Sequence, residues 1–424
     1  HTYVHTHTHI LTYVHDIPTC VYICLHSHKH AHTHTHNANA SSRFHNPENV
    51  HTPNTDKLAS QGIILDRHYT YRWCAPTRSA LMTGRLPYHV LQNTDNVDRG
   101  FSMMPSKLRQ VGYQTHQIGK WHLGSAVDWM TPYGRGFDSS LGYLGGGEDH
   151  YTQIDGSEFG CTGVDLYQTD HPAYGINGTY GTYIYDAEAK RVISVHDPQK
   201  PLFLYMALQV MHAPNEVPTK FSDFYPSPKY DSDYSIMNGM ASAADEVLGN
   251  VTDLLMQKGM WNNTLFIYTS DNGGPAGQAS SGHAGNNFPL RGGKTNFFEG
   301  GVRVSAFLSG GAIPKLVRGQ NRSGYIHVCD WYPTVISLAG GDPTDEGAGM
   351  PSVDGYDMWP YITGNVESSP RTEMMIGTEK FTQKTGQTGG WNGALISGDY
   401  KLILGIQSYG FWQGPVYPNA TTNH

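Results

Sequence analysis

The chain has 424 residues, a formal net charge of −8 and five cysteines, a globular composition long enough to bury a large core. The negative balance argues against a nucleic-acid surface, so an anionic substrate has to be met by a local cluster of cations rather than by the overall field. Cysteines 20, 24, 74, 161 and 329 are too few for a disulfide framework and hold no C-x-x-C pairs of a zinc site, and no apolar run reaches the ~20 residues of a membrane span.

Residues 1–36 carry eleven of the 24 histidines, largely as His-Thr alternations. A metal-binding tract is one reading, but the segment has no apolar face and reads as low complexity. His-Thr-His-Thr is also what an in-frame cytosine–adenine repeat encodes. Residues 1–43 are therefore expected to be non-native sequence in place of the true N-terminus: the chain does not begin with Met and no signal peptide is recognisable.

From about residue 44 the texture changes to strands alternating with helices. The stretch "TPNTDKLASQG" predicts a helix with Thr52 as N-cap, Pro53 in the first turn and Gly62 beyond its end. The apolar runs "PLFLYMALQ" and "TLFIYTSDNGG" predict parallel strands buried on both faces. The segment between them, "SIMNGMASAADEVLGNVTDLLMQKG", has helical spacing and stops at Gly259, so a strand-helix-strand unit is expected. Stretches such as "GALISGDYKLILG" predict a small antiparallel subdomain. The class is α/β, with a catalytic domain over 44–340 and a C-terminal subdomain, expected to be truncated, over 341–424. Asn-x-Ser/Thr triplets at Asn177, Asn250, Asn262, Asn321 and Asn419 permit a secretory route.

Ligands of open parallel sheets bind beyond the carboxyl ends of the strands, where Asp271 and Asn272 fall. Their hard oxygens suit Ca²⁺, although Asp-Asn-Gly-Gly read bare is a turn. Cys74, a small buried hydrophobe in the plainer reading, precedes a helix start whose unpaired N–H groups suit an anion, and Arg78 adds a fork of donors. Lys120 and His122 lie two apart, hence on one side if that segment is extended, which would place a cation beside a proton carrier. His212 follows a strand and precedes a turn signal.

The stretches "CAPTR" with "SALMTGR" and "GYQTHQIGKWHLG" resemble the two signatures of the sulfatase family, with Thr77 where serine is more frequent. In order and spacing, "ALQVMHAPNEVP", "DNGGPAG", "NNFPLRGGKTNFFEGGVR" and "DWYPTVISLAGG" resemble its arylsulfatase B (N-acetylgalactosamine-4-sulfatase-like) branch over residues 44–424. The resemblance implies an alkaline-phosphatase-like fold, a mostly parallel mixed sheet flanked by helices. It implies oxidation of Cys74 to formylglycine by a formylglycine-generating enzyme, the aldehyde hydrate supplying the nucleophile. It also implies that Lys120 binds sulfate, that His122 assists its elimination, and that His212 with Lys294 serves the leaving-group oxygen. One Ca²⁺ would be held by Asp271, Asn272 and the oxygen at position 74. The substrate class would be a sulfated carbohydrate or an aryl sulfate, in an extracellular or lysosomal protein.

The family's first strand ends in two adjacent aspartates. The matching region is expected just before "RFHNPENVHTPNTDKLA", and no Asp-Asp pair occurs upstream of residue 44. Ca²⁺ collects six to eight oxygens, so the chain is expected to bind it weakly, to be impaired, and to fold poorly for want of an interior strand. Two other readings stay open: a phosphodiesterase or phosphonate hydrolase of the alkaline-phosphatase superfamily, and a non-catalytic relative that binds sulfated glycans.

Overall fold

Apolar, β-branched and aromatic side chains fill the seven-residue runs at the centre of a mixed sheet. In the computed structural model the described residues are 18, 20–26, 50–90, 96–155, 162–176, 178–226, 232–275, 285, 287–347, 349–381, 390–408 and 410. In chain order the sheet takes β1 (Cys20–His26), β2 (Ile63–Leu65), β3 (Gln114–Gly119), β4 (Ser139–Gly142), β5 (Tyr167–Gln168), β6 (His171–Pro172), β7 (Leu202–Leu208), β8 (Thr264–Ser270), β9 (Phe307–Ser309) and β10 (Gln320–Arg322). Their spatial order is β10-β2-β9-β8-β1-β7-β3-β4-β5-β6. The centre, β8-β1-β7-β3-β4, is parallel, and antiparallel pairs begin at β9 on one side and β5 on the other.

The strand expected to be missing is present, and that expectation is corrected. β1 fills the gap between β7 and β8, pairing with Leu202–Leu208 on one side and Thr264–Ser270 on the other. Its "CVYICLH" is an apolar run inside the His/Thr-rich segment, upstream of where the strand was sought. Val21 and Ile23 enter the core on one face and Cys20 and Tyr22 the core on the other, the period-two alternation of a strand buried on both sides. Tyr22 stacks on Phe266 at 4.8 Å between ring centroids. The poor folding anticipated from two exposed sheet edges therefore does not follow. Apart from residue 18 and β1, the rest of residues 1–43 lies outside the described residues.

Helices cover both faces. The helices used below are α1 (Pro53–Ser60), α2 (Cys74–Thr83), α3 (Gly181–Val195), α4 (Ser232–Gln257) and α5 (Trp331–Leu338). α2 and α5 pack with Val21, Phe203, Tyr205 and Ile267, whereas α1, α3 and α4 pack with Tyr22, Leu204, Met206 and Phe266. The expected strand-helix-strand unit is β7-α4-β8, and its crossover passes over one strand because β1 lies between the two.

Thr52 precedes α1 as expected, but its side chain makes no cap hydrogen bond. Asp245 of α4 caps the helix instead, accepting from the backbone N–H of Asn54 at 3.1 Å and of Thr55 at 2.7 Å. The C-terminal region forms the antiparallel sheet β11 (Glu373–Phe381), β12 (Gly390–Ser397) and β13 (Tyr400–Leu404). Of the Asn-x-Ser/Thr triplets, Asn250 lies in α4, Asn262 is exposed just before β8 and Asn321 lies on β10. Asn177 and Asn419 lie outside the described residues, as does Cys161.

Candidate active site

Parallel strands all end on one side of the sheet, so the segments leaving β3, β7 and β8 meet there. β8 delivers Asp271 and Asn272, β3 delivers Lys120 and His122, and the turn after β7 delivers His212. Cys74 is the first residue of α2, whose side chains are all buried. Trp73 before it is extended, with φ −153° and ψ 171°, so the chain turns into the helix at the cysteine.

The Arg78 guanidinium is fully buried, and four of its five N–H groups go to protein oxygens. Its Nε and Nη2 donate to Oδ2 of Asp271 at 3.2 and 2.8 Å, and its Nη1 donates to the Lys120 carbonyl at 3.0 Å and to Tyr205 Oη at 3.3 Å. Arg78 therefore ties α2 to β8 and to the turn after β3.

Lys120 and His122 are not neighbours along a strand, contrary to the sequence argument. β3 ends at Gly119, which has φ 88° and whose missing Cβ would lie 2.1 Å from the Ala207 carbonyl oxygen. A bend therefore leads into Lys120, and His122 itself adopts φ 58°, a conformation rare outside glycine. Lys120 Nζ donates to the Gly146 carbonyl.

Electrostatics join these groups. Burial alone would raise the Cys74 thiol, but the charges of Lys120 and Lys294 and a hydrogen bond from His122 outweigh it and hold the thiol well below its usual range. Burial, then Lys294 and Lys120, holds His212 well below the usual imidazole range. Its Nδ1 lies 2.8 Å from the Ala213 carbonyl; Nδ1 therefore carries the proton there, and Nε2 is the unprotonated nitrogen of the neutral ring. Burial also lowers the Lys120 ammonium, opposed by Cys74. Cys74, Lys120, His122, His212 and Lys294 thus form one electrostatic cluster, whose lysines favour negative charge.

A hard cation fares less well. Oδ2 of Asp271 is taken by Arg78, and Oδ1 is buried without a hydrogen-bond partner among the described residues. Asn272 donates from Nδ2 to the Gly273 carbonyl at 2.8 Å. One carboxylate shared with an arginine, one amide and position 74 fall short of the six to eight oxygens that Ca²⁺ takes, and two lysines oppose a dication. His26 of β1 stands in register with Ser270, one residue before Asp271, and Ser27 follows it; neither carries a carboxylate. The described residues do not fit a calcium site.

Sequence reasoning did not find the segment 145–150. Gly146 accepts from Lys120, Gly147 packs against the His212 ring, and His150 Nε2 donates to the His212 carbonyl at 3.1 Å. The glycine run "GGGED" was the only signal for it.

Residues 18–341 match the model of the sulfatase family. The chain belongs to the sulfatase family. It is 36% identical to mouse Arylsulfatase J over 406 residues, 90% of this chain and 64% of that protein. It is 28% identical to mouse N-acetylgalactosamine-6-sulfatase over 73% of this chain and 61% of that protein. The sulfatase chain thus spans less than two thirds of the length of these relatives. Among solved structures it is similar to Ps i-CgsB in complex with k-i-k-neocarrahexaose, with a TM-score of 0.74, 25% identity, and coverage of 92% of this chain and 84% of that one. Its likeness to the phosphonate monoester hydrolase of Agrobacterium radiobacter, with a TM-score of 0.60 and 17% identity over 91% of this chain and 89% of that one, is one of fold: the alkaline-phosphatase-like sheet. Among the described residues no helix is long and apolar enough to cross a membrane.

Proposed function

We propose that this sulfatase-family chain is a sulfuric ester hydrolase of the arylsulfatase type, acting on sulfated carbohydrate or aryl sulfate after Cys74 is oxidised by a formylglycine-generating enzyme. The order of its motifs favours the arylsulfatase B branch, and the Asn-x-Ser/Thr triplets favour a secretory route to the extracellular space or the lysosome. The observation that carries the reading is the gathering of Lys120, Lys294 and His122 about the buried side chain at the start of α2. Formylglycine at position 74 would supply a hydrated aldehyde as the oxygen nucleophile.

The chain's own residues then divide the work. Lys120 and Lys294 bind the sulfate oxygens and take up charge that builds in the transition state. His122 accepts a proton from the hydroxyl at position 74. His212 is neutral beside two lysines, and the negative charge of a bound sulfate ester offsets what keeps it so. Its Nε2 can then carry a proton to the leaving oxygen. Arg78 acts through others, by bracing Asp271 and the Lys120 carbonyl. No step is assigned to a metal, and the short donor set supports impaired turnover in this chain.

The test uses chain co-expressed with a formylglycine-generating enzyme. The mass of the peptide containing residue 74 reports the aldehyde, and hydrolysis of 4-nitrophenyl sulfate reports activity. Cys74→Ala is expected to cost roughly 10³-fold or more, the scale of losing a nucleophile. Undiminished turnover in that variant would sink the proposal. An unmodified thiol in protein from a competent host would favour the glycan-binding reading, which the incomplete acidic set supports. Faster cleavage of an aryl phosphodiester than of the matched sulfate would favour the phosphodiesterase reading.

A further inference from the structure

Arg72 lies outside every motif that singled out the site, yet it touches both of the loops that meet there. Its backbone carbonyl accepts from the N–H of Thr295 at 2.8 Å, and its Nη1 donates back to the Thr295 carbonyl at 2.6 Å. Thr295 directly follows Lys294 and adopts φ 79°, a conformation that costs a β-branched residue on the order of 1–3 kcal/mol and persists only where its surroundings impose it. Arg72 directly precedes Trp73 and stands two residues before Cys74. The reciprocal pair of hydrogen bonds therefore joins the segment leading into α2 and Cys74 to the lysine's loop, more than 200 residues away in the chain.

The guanidinium is held at both Nη atoms and on both of its faces, while Nε is buried without a hydrogen-bond partner among the described residues. It lies 4.5 Å from the Trp73 ring centroid and 4.7 Å from that of Phe297, a cation between two aromatic faces. Its Nη2 is ion-paired to Glu379 of β11, and the other oxygen of Glu379 accepts from Tyr71 Oη. Phe297 is in turn fixed through its N–H, which donates to Gln407 Oε1 at 2.8 Å. A lysine could not satisfy this arrangement, because one ammonium cannot offer a planar face to two rings while donating in two fixed directions.

We propose that Arg72 is a positioning residue that sets the separation between position 74 and Lys294, with Glu379 of the C-terminal sheet holding it in place. The inference rests on the sulfatase reading of the site and adds that the antiparallel sheet takes part in building it. Misplacing a binding group by about 1 Å costs on the order of 100-fold in rate, so a clamp at this junction governs catalysis without touching substrate.

The experiment uses the full chain in four forms, wild type, Arg72→Gln, Lys294→Ala and the double variant, with Arg72→Lys and Glu379→Gln as milder substitutions. Binding of inorganic sulfate is measured by calorimetry, turnover of 4-nitrophenyl sulfate by absorbance, and folding by the thermal midpoint. If Arg72 acts through Lys294, Arg72→Gln weakens sulfate binding about tenfold, approaching the loss in Lys294→Ala, and the double variant is no worse than Lys294→Ala alone. Arg72→Lys and Glu379→Gln show smaller losses of the same kind while keeping the wild-type midpoint. Sulfate affinity within twofold of wild type in Arg72→Gln overturns the clamp, as do losses that multiply in the double variant. Should the aldehyde-bearing wild type bind sulfate without turning over an ester, the hydrolase reading fails while the sulfate measurements still decide the clamp. A wild type that binds no sulfate overturns both.

Discussion

Gly147 shows how closely a backbone can govern the ring of His212, the proposed proton donor. A Cβ built on it would lie 2.9 Å from His212 Cε1, nearer than real Cβ contacts come, and 3.1 Å from Nδ1, tighter than most. Since Nδ1 is anchored on the Ala213 carbonyl, the ring can escape only by breaking that bond or tilting Nε2 away. Gly147→Ala should therefore lower kcat/KM about tenfold or more for an alkyl or carbohydrate sulfate, whose leaving oxygen needs a proton. The loss should be much smaller for 4-nitrophenyl sulfate, which leaves well as an anion. Equal losses on the two substrates would separate His212 from leaving-group protonation.

Among the elements, β1 bears the greatest weight. It supplies hydrogen-bonding partners to β7 and β8 along their whole length, and Ile23 is wholly buried. Ile23→Ala should cost about 2–5 kcal/mol, the range for truncating a buried aliphatic side chain, read as a lowered midpoint of denaturant unfolding. An unchanged midpoint would mean that this segment does not occupy the sheet. α1 illustrates a different lesson. A threonine before a proline is a strong helix-start signal, and the helix does start there, but a carboxylate 190 residues later supplies the cap. Local pattern placed the element, and packing chose its partner.

For the molecule as a whole, the buried pair between Asp330 and Arg371 decides how the C-terminal sheet is attached. Arg371 Nε donates to Asp330 Oδ2 at 2.9 Å, its Nη2 pairs with Oδ1, and the Asp354 carbonyl accepts from Nη2 at 3.1 Å. Asp330 is fully buried just before α5, and Arg371 stands two residues before β11. Removing one partner of such a pair leaves an uncompensated charge, so Arg371→Ala should cost about 3–5 kcal/mol. Because the pair spans the junction, unfolding should remain a single cooperative transition with a lowered midpoint. Two resolved transitions, only one of them shifted, would show the C-terminal sheet to be an independent unit.

The family and the α/β class were legible in the sequence, because short motifs carry chemistry that few other residue combinations serve, and the same motifs named the residues proposed for the site. Cys74, Lys120, His122, His212 and Lys294 stand apart in the chain, yet Cys74 opens a helix and Lys120, His122 and His212 follow strands whose ends the parallel sheet brings to one edge, while Lys294 comes from a turn. The strand buried in the histidine-rich segment was not legible, because seven apolar letters among polar repeats show their purpose only when β7 and β8 leave a gap for them. Nor was the commitment of Arg78 to Asp271, the bend that turns His122 inward, or the support from Gly147 and Arg72. Residue type determines what a side chain can do and can be read one letter at a time, whereas separation and orientation arise from contacts between distant segments and exist only in the folded chain.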